Sequence, residues 1–152
     1  MRSSNWKDVA ELAGIAAIVA SLILVAYELR QATAQSAAEA IYLSNVGLDS
    51  AYRARAQDPV LAQLIIDSHA NPSSLNDLER EQFAAWLRAD LNIAEATWVY
   101  YENGLFPEWA FDGTKAGICS RLVTEGGRQY WEDQGQYFAS RFRERIDEWC
   151  FQ

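Results

Sequence analysis

An uncharged run of sixteen residues, Leu12 to Tyr27, constrains this chain more than any other feature. At about 1.5 Å per residue it reaches roughly 24 Å, short of a hydrocarbon core of about 30 Å unless the flanking turns contribute. Those turns are suited to it. Trp6 and Tyr27 stand 21 positions apart, about 31 Å along a helix, which sets one amphipathic ring near each membrane surface. Glu11 and Glu28 fall just inside the rings, where a long side chain can reach the headgroups. We therefore read Val9 to Leu29 as one transmembrane helix, with Trp6, Tyr27, Glu28 and Arg30 as its interfacial anchors. Residues 1–8 form a short leading segment and 30–152 a helical extramembrane domain.

Three other readings of the stretch compete. A buried helix of a soluble bundle usually keeps a polar stripe, whereas Ala13, Ala16, Ala17, Ala20, Leu22, Ile23 and Leu24 leave no face polar. A cleaved signal would use Arg2, Lys7 and the Ala32-Thr33-Ala34 pattern, but Glu28 and Arg30 intrude before that site. A helix lying flat on the membrane requires a basic face that is missing here.

Arg2, Lys7 and the terminal amine precede the helix, and Arg30 alone is basic within twenty positions after it. This asymmetry favours a cytoplasmic N-terminus in the inner membrane, with the domain outside. Cys119 and Cys150 bear on the same point: they form a possible disulfide in an oxidising compartment and two ordinary thiols in a reducing one.

With a net charge of −8, and 11 basic against 18 acidic residues from Arg30 onward, the chain is ill suited to nucleic acid. Arg141, Arg143 and Arg145 alternate with Glu144, Asp147 and Glu148, the pattern of a solvated helix face. Half of the residues are apolar and 12% aromatic, with 8 Gly and 3 Pro, so the domain is expected to be ordered and all-α.

Ala34, Ala37, Ile41, Leu48 and Tyr52 recur at helical intervals, so the membrane helix is expected to continue into a long stalk, packed with a small helical bundle. Asp58-Pro59 caps a short helix through Ala70, and Asn71 to Ser74 is a loop. Asn76 and Glu79 form a capping box for a helix whose one face carries Phe83, Leu87, Leu91, Ala94, Trp98 and Tyr101. Asn103-Gly104 ends it. Pro107 opens a segment reaching about Thr124, and Gly126-Gly127 is expected to break it. Helices from Arg128 to Gln134 and from Phe138 to Trp149 finish the chain.

This order of features resembles a group of uncharacterised bacterial single-pass membrane proteins with an N-terminal transmembrane helix and a small helical domain. The likeness rests on Ser21-Leu22, Tyr27-Glu28-Leu29-Arg30-Gln31, Ser74-Leu75 leading to Glu79, Tyr100 to Leu105, Tyr130-Trp131, and Phe138 with Phe142. It implies topology and an all-α fold, and brings no catalytic residue. Glu28 stands where similar sequences more often have Gln.

Catalytic or metal chemistry finds little support. His69 has no second histidine to share a metal, the two cysteines lack C-x-x-C spacing, and no phosphate-binding glycine loop or G-x-S-x-G occurs. Glu95 and Glu102 share one helical face around Trp98, a pattern that fits a solvated edge better than an acid and base pair. No catalytic, cofactor or metal residue is therefore assigned, and an enzyme is not expected. Gly14, Ala17 and Ser21 lie within about 60° on a helix, and small residues there let a second helix approach closely in lipid. The expected role is a membrane-anchored interaction protein, a homo-oligomer or an accessory subunit. Its partners would be the bilayer and itself or another membrane protein. The alternative is a membrane-tethered sensor or small-molecule-binding domain, with a pocket lined by the aromatics between Trp86 and Trp131.

Overall fold

The computed structural model describes residues 4–152, with side chains from Trp6 onward. Arg2, counted above for orientation, lies outside the described residues. Among them are six α-helices and two 3₁₀ turns, with no strand. They are α1 (Ser4–Gln57), α2 (Pro59–Ala70), α3 (Asp77–Glu102), α4 (Glu108–Leu122), α5 (Glu125–Gln134) and α6 (Ser140–Cys150), with turns at Pro72–Ser74 and Gly135–Tyr137.

The chain divides into two units, residues 1–38 and 39–152. In the first unit, α1 carries the apolar stretch with its side chains exposed, and it is the helix long and apolar enough to cross a membrane. Two of its hydroxyls bond back within the helix: Ser21 Oγ donates to the Ala17 carbonyl at 2.8 Å, and Thr33 Oγ1 to that of Leu29 at 2.9 Å.

In the second unit the last five turns of α1 bury Ala40 and Ser44 and half-bury Ile41, Gly47, Leu48 and Ala51. The expected stripe is thus corrected in detail, because Ala34 and Tyr52 are exposed while small residues hold its centre. The reason is close helix packing. Ser44 Oγ lies 3.0 Å from Thr97 Oγ1, and a Cβ on Gly47 would come within 3.1 Å of Ile93 Cδ1.

Local signals place most helix ends. Asp58 accepts from the Val60 and Leu61 N–H groups, and Pro59 fills the first turn, where no N–H is needed. Asn76 and Glu79 exchange both capping-box hydrogen bonds, at 3.0 and 2.8 Å. Gly104, at φ +71°, closes α3 in a Schellman motif: its N–H donates to Tyr101 and that of Leu105 to Tyr100.

Gly126-Gly127 does not break a helix. Both lie in the first turn of α5, and the break falls at Val123 and Thr124, where Thr124 Oγ1 caps the Gly127 N–H at 3.1 Å. The glycines serve close approach instead. A Cβ on Gly126 would overlap the Ser68 carbonyl of α2, and one on Gly127 that of Arg121 in α4. The last helix likewise begins at Ser140 rather than Phe138, because the Gly135–Tyr137 turn leaves Phe138 extended and buried.

The core joins α3, α4 and α6. Phe83, Leu87, Leu91, Ala94 and Trp98 from α3 meet Phe111, Ile118 and Leu122 from α4 and Phe142 and Ile146 from α6. Tyr101 and Phe111 stack at 4.4 Å, and Trp149 meets Phe111 edge-on at 5.4 Å. Cys119 of α4 and Cys150 of α6 are joined by a disulfide, with Cα atoms 4.8 Å apart.

Candidate functional site

Two places carry the functional reading, and the first is the apolar stretch of α1. A Cβ added to Gly14 meets nothing within 4 Å, so this position offers open surface. Ala17 and Ser21 are exposed beside it, and the back-bonded Ser21 hydroxyl leaves its proton committed within the helix. This face therefore carries small side chains and no unmet hydroxyl donor. Trp6, Tyr27, Glu28 and Arg30 are also exposed.

The second place lies within residues 39–152 and centres on Asp90 and Arg121. Asp90 falls on the apolar face of α3, three residues after Leu87, and its side chain is only 3% exposed. Arg121, one turn before the glycine corner, sets Nη1 at 2.8 Å from Asp90 Oδ2. That contact is an ion pair by distance, but Oδ2 has no aligned hydrogen bond from the protein. The remaining Arg121 donors go to the Gly117 carbonyl at 3.2 Å and Tyr52 Oη at 3.0 Å. The guanidinium also faces the Trp86 ring at 5.9 Å, with Arg55 facing the same ring at 5.6 Å. Burial pushes the Asp90 carboxyl above the usual range, and Arg121 and Arg55 pull it back toward ionisation.

Beside this pair, α1, α3 and α4 enclose a cleft of about 380 Å³, walled by Ile41, Leu48, Ile93, Phe106 and Trp109. The aromatics expected to line a pocket mostly do not face it. Trp98, Tyr130 and Trp131 are buried in the core, and the rings at the cleft are those of Phe106, Trp109 and Tyr52. Sequence reasoning missed Asp90 and Arg121. The available signal was an acidic residue inside the Phe83, Leu87, Leu91, Ala94 stripe, where an unpaired charge is costly.

The other residues singled out from sequence have structural partners. Glu95 Oε1 accepts the Ala139 N–H at 2.9 Å, and Glu102 pairs with Arg141 at 3.4 Å, so both carboxylates fasten α6 to α3. His69 is half-buried against Phe83 and Trp86, with Nδ1 at 2.9 Å from Thr124 Oγ1. Because the Thr124 hydroxyl donates to the Arg121 carbonyl at 2.6 Å, His69 Nδ1 must be the protonated donor. Among the described residues no cluster of His, Cys, Asp and Glu could hold a metal ion.

Burial, reinforced by Arg121 and Arg55, holds the His69 imidazole below its ordinary value of 6.5. The unfolded chain then takes up this proton first. The contribution is complete above the unfolded value and is lost as pH falls from there toward the lowered folded one. Unfolding free energies of the wild type from urea titrations should drop between about pH 7.5 and 5.5, by at most about 1.4 kcal/mol per pH unit from this group. His69→Gln should show a smaller drop. An equal drop in both proteins would rule His69 out as the source.

No protein-family model matches the chain, and the comparisons with curated proteins and with solved structures found no match.

Proposed function

We infer that this is a single-pass protein of the bacterial inner membrane. Its apolar stretch of α1 is the anchor, and its role is association with a second membrane helix, from its own kind or from a larger complex. The observation that carries the reading is the exposure of the whole stretch: Leu12, Ile15, Ile18, Leu22, Ile23 and Leu24 each leave more than half of their surface open, Leu22 63%. Such a continuous apolar surface far exceeds what a water-soluble chain normally presents. Lipid accepts it, and the back-bonded Ser21 and Thr33 add no unmet polar group. The Cys119–Cys150 bond supports a domain on the oxidising side, in the direction that Lys7 before the helix also favours.

The anchoring reading is tested on cells. The protein should remain with membranes through an alkaline carbonate wash, and a reporter fused after Gln152 should be active only if it works outside the cytoplasm. Release by carbonate would end the anchor reading.

The association reading has its own test. Gly14→Ile with Ala17→Ile keeps the segment apolar but puts branched side chains on the small-residue face. Membrane insertion should persist while oligomer or partner recovery falls about tenfold. If recovery stays unchanged, and Leu22→Ala or Leu24→Ala lowers it instead, the contact lies on another face.

A further inference from the structure

His69 is the single histidine of the chain, so titration near neutral pH can be traced to one ring. That ring sits in the last turn of α2, half-buried and edge-on to Phe83 and Trp86 of α3, with centroids 5.2 and 5.8 Å away. Its Nδ1–H donates to Thr124 Oγ1, the cap of α5, at 2.9 Å, so Nε2 is the atom that takes up a further proton.

The surroundings have the wrong sign for that proton. Arg55 of α1 and Arg121 of α4 lie over the same Trp86 ring, 5.6 and 5.9 Å from its centroid. Asp90 of α3 is engaged by Arg121 at 2.8 Å, and Asp67 of α2 is exposed and accepts from Gln63. From α5 comes the Thr124 hydroxyl, and among the described residues no carboxylate bonds the imidazole. An imidazolium here loses hydration and stands beside two guanidiniums with no counterion in contact. Nor can it shift in place. The Ser68 carbonyl lies so close to Gly126 that a Cβ there would overlap it, and a backbone contact of that kind leaves no slack. Relief comes only if the last turn of α2 leaves α5, and α2, at 12 residues, is a helix of marginal stability once undocked.

We propose that α2 is an acid-sensitive cover: when His69 takes a proton at Nε2, α2 parts from α5 and uncovers Ile65 and Phe83, while α3, α4, α5 and α6 stay packed. The bonds from Thr124 to Arg121 and from Gly127 to Thr124 do not involve α2 and hold in the open form. This local opening is separate from global unfolding, and because all of its residues belong to 39–152 it does not rest on the anchor reading.

Native-state hydrogen exchange of the full-length protein in lipid nanodiscs tests it, with rates corrected for the intrinsic effect of pH. At about pH 5.5 the Leu64 to Ser68 amides should be at least about tenfold less protected than those of Leu87 to Trp98, and should respond weakly to low concentrations of urea, the mark of a sub-global opening. From about pH 7 to about pH 5.5 their protection should fall about threefold or more, since each open molecule regains a histidine of ordinary basicity. His69→Gln, which does not titrate, should abolish that fall. Arg55→Gln removes one opposing cation and should lessen it, so the proposal stays testable if His69→Gln folds poorly. Protection of α2 that does not change with pH, a fall undiminished in His69→Gln or in Arg55→Gln, or α2 amides with the same protection and urea dependence as those of α3, would each overturn it.

Discussion

Arg121→Met is expected to destabilise the 39–152 unit by about 3–5 kcal/mol, the loss seen when one member of a buried ion pair is removed and the other stays buried. Three contacts go at once: the 2.8 Å ion pair with Asp90 and the hydrogen bonds donated to Gly117 and Tyr52. Asp90 is the larger reason, since its carboxylate would remain in an apolar wall with no cation in contact. The double variant Asp90→Leu with Arg121→Met should recover most of the loss, because two apolar groups of similar size need no solvation. A pH signature accompanies this. Without Arg121 the folded-state pKa of Asp90 rises further above the unfolded one, so the single variant should regain ground as pH falls and the carboxylate takes up a proton. Denaturant unfolding of the full chain in detergent, followed by tryptophan fluorescence, gives both results. A double variant as unstable as the single one would show that Arg121 matters through Tyr52 and Gly117 rather than through Asp90.

Breaking the Cys119–Cys150 bond should have a comparable effect. The disulfide closes a loop with a sequence separation of 31, which in the chain-entropy picture restricts the unfolded state by about 3.5 kcal/mol. For a unit of this size that corresponds to a fall in Tm of roughly 15 °C. Cys119→Ala with Cys150→Ala should show it without reductant, and reductant should lower the wild type to the same point. The loss should concentrate in α6, whose Phe142 and Ile146 complete the core. An unchanged Tm in the double variant, with the wild-type bond verified by mass, would mean that α6 is held by packing and by Glu95 and Glu102 alone.

Much of this fold was legible wherever one residue type has one physical use. Asp58-Pro59, the Asn76 and Glu79 box, and Gly104 could be placed from sequence because each satisfies groups of its own helix end. The apolar face of α3 could be traced for the same kind of reason, by periodicity. What escaped depends on partners distant in the chain. Gly126-Gly127 looks like a breaker until Ser68 and Arg121 are seen against it, and glycine at a helix contact cannot be told from glycine at a turn by local pattern. The stripe of α1 was read from its larger residues, whereas contact with α3 selects the small ones, Ala40, Ser44 and Gly47. Asp90 and Arg121 are 31 positions apart, and neither has a neighbour in sequence that announces the other.

The glycine corner has a kinetic consequence. Where α5 meets α2 and α4 backbone to backbone, no side chain can change rotamer to take up strain, and packed contacts of this kind yield in steps rather than gradually. Opening the corner also releases the three hydrogen bonds gathered on Thr124 Oγ1, from His69, from Gly127 and to Arg121. The Gly127 amide should therefore be among the slowest in the domain to exchange its hydrogen with solvent, exchanging only when the whole unit unfolds. The exposed amides at the ends of α2 should turn over long before it.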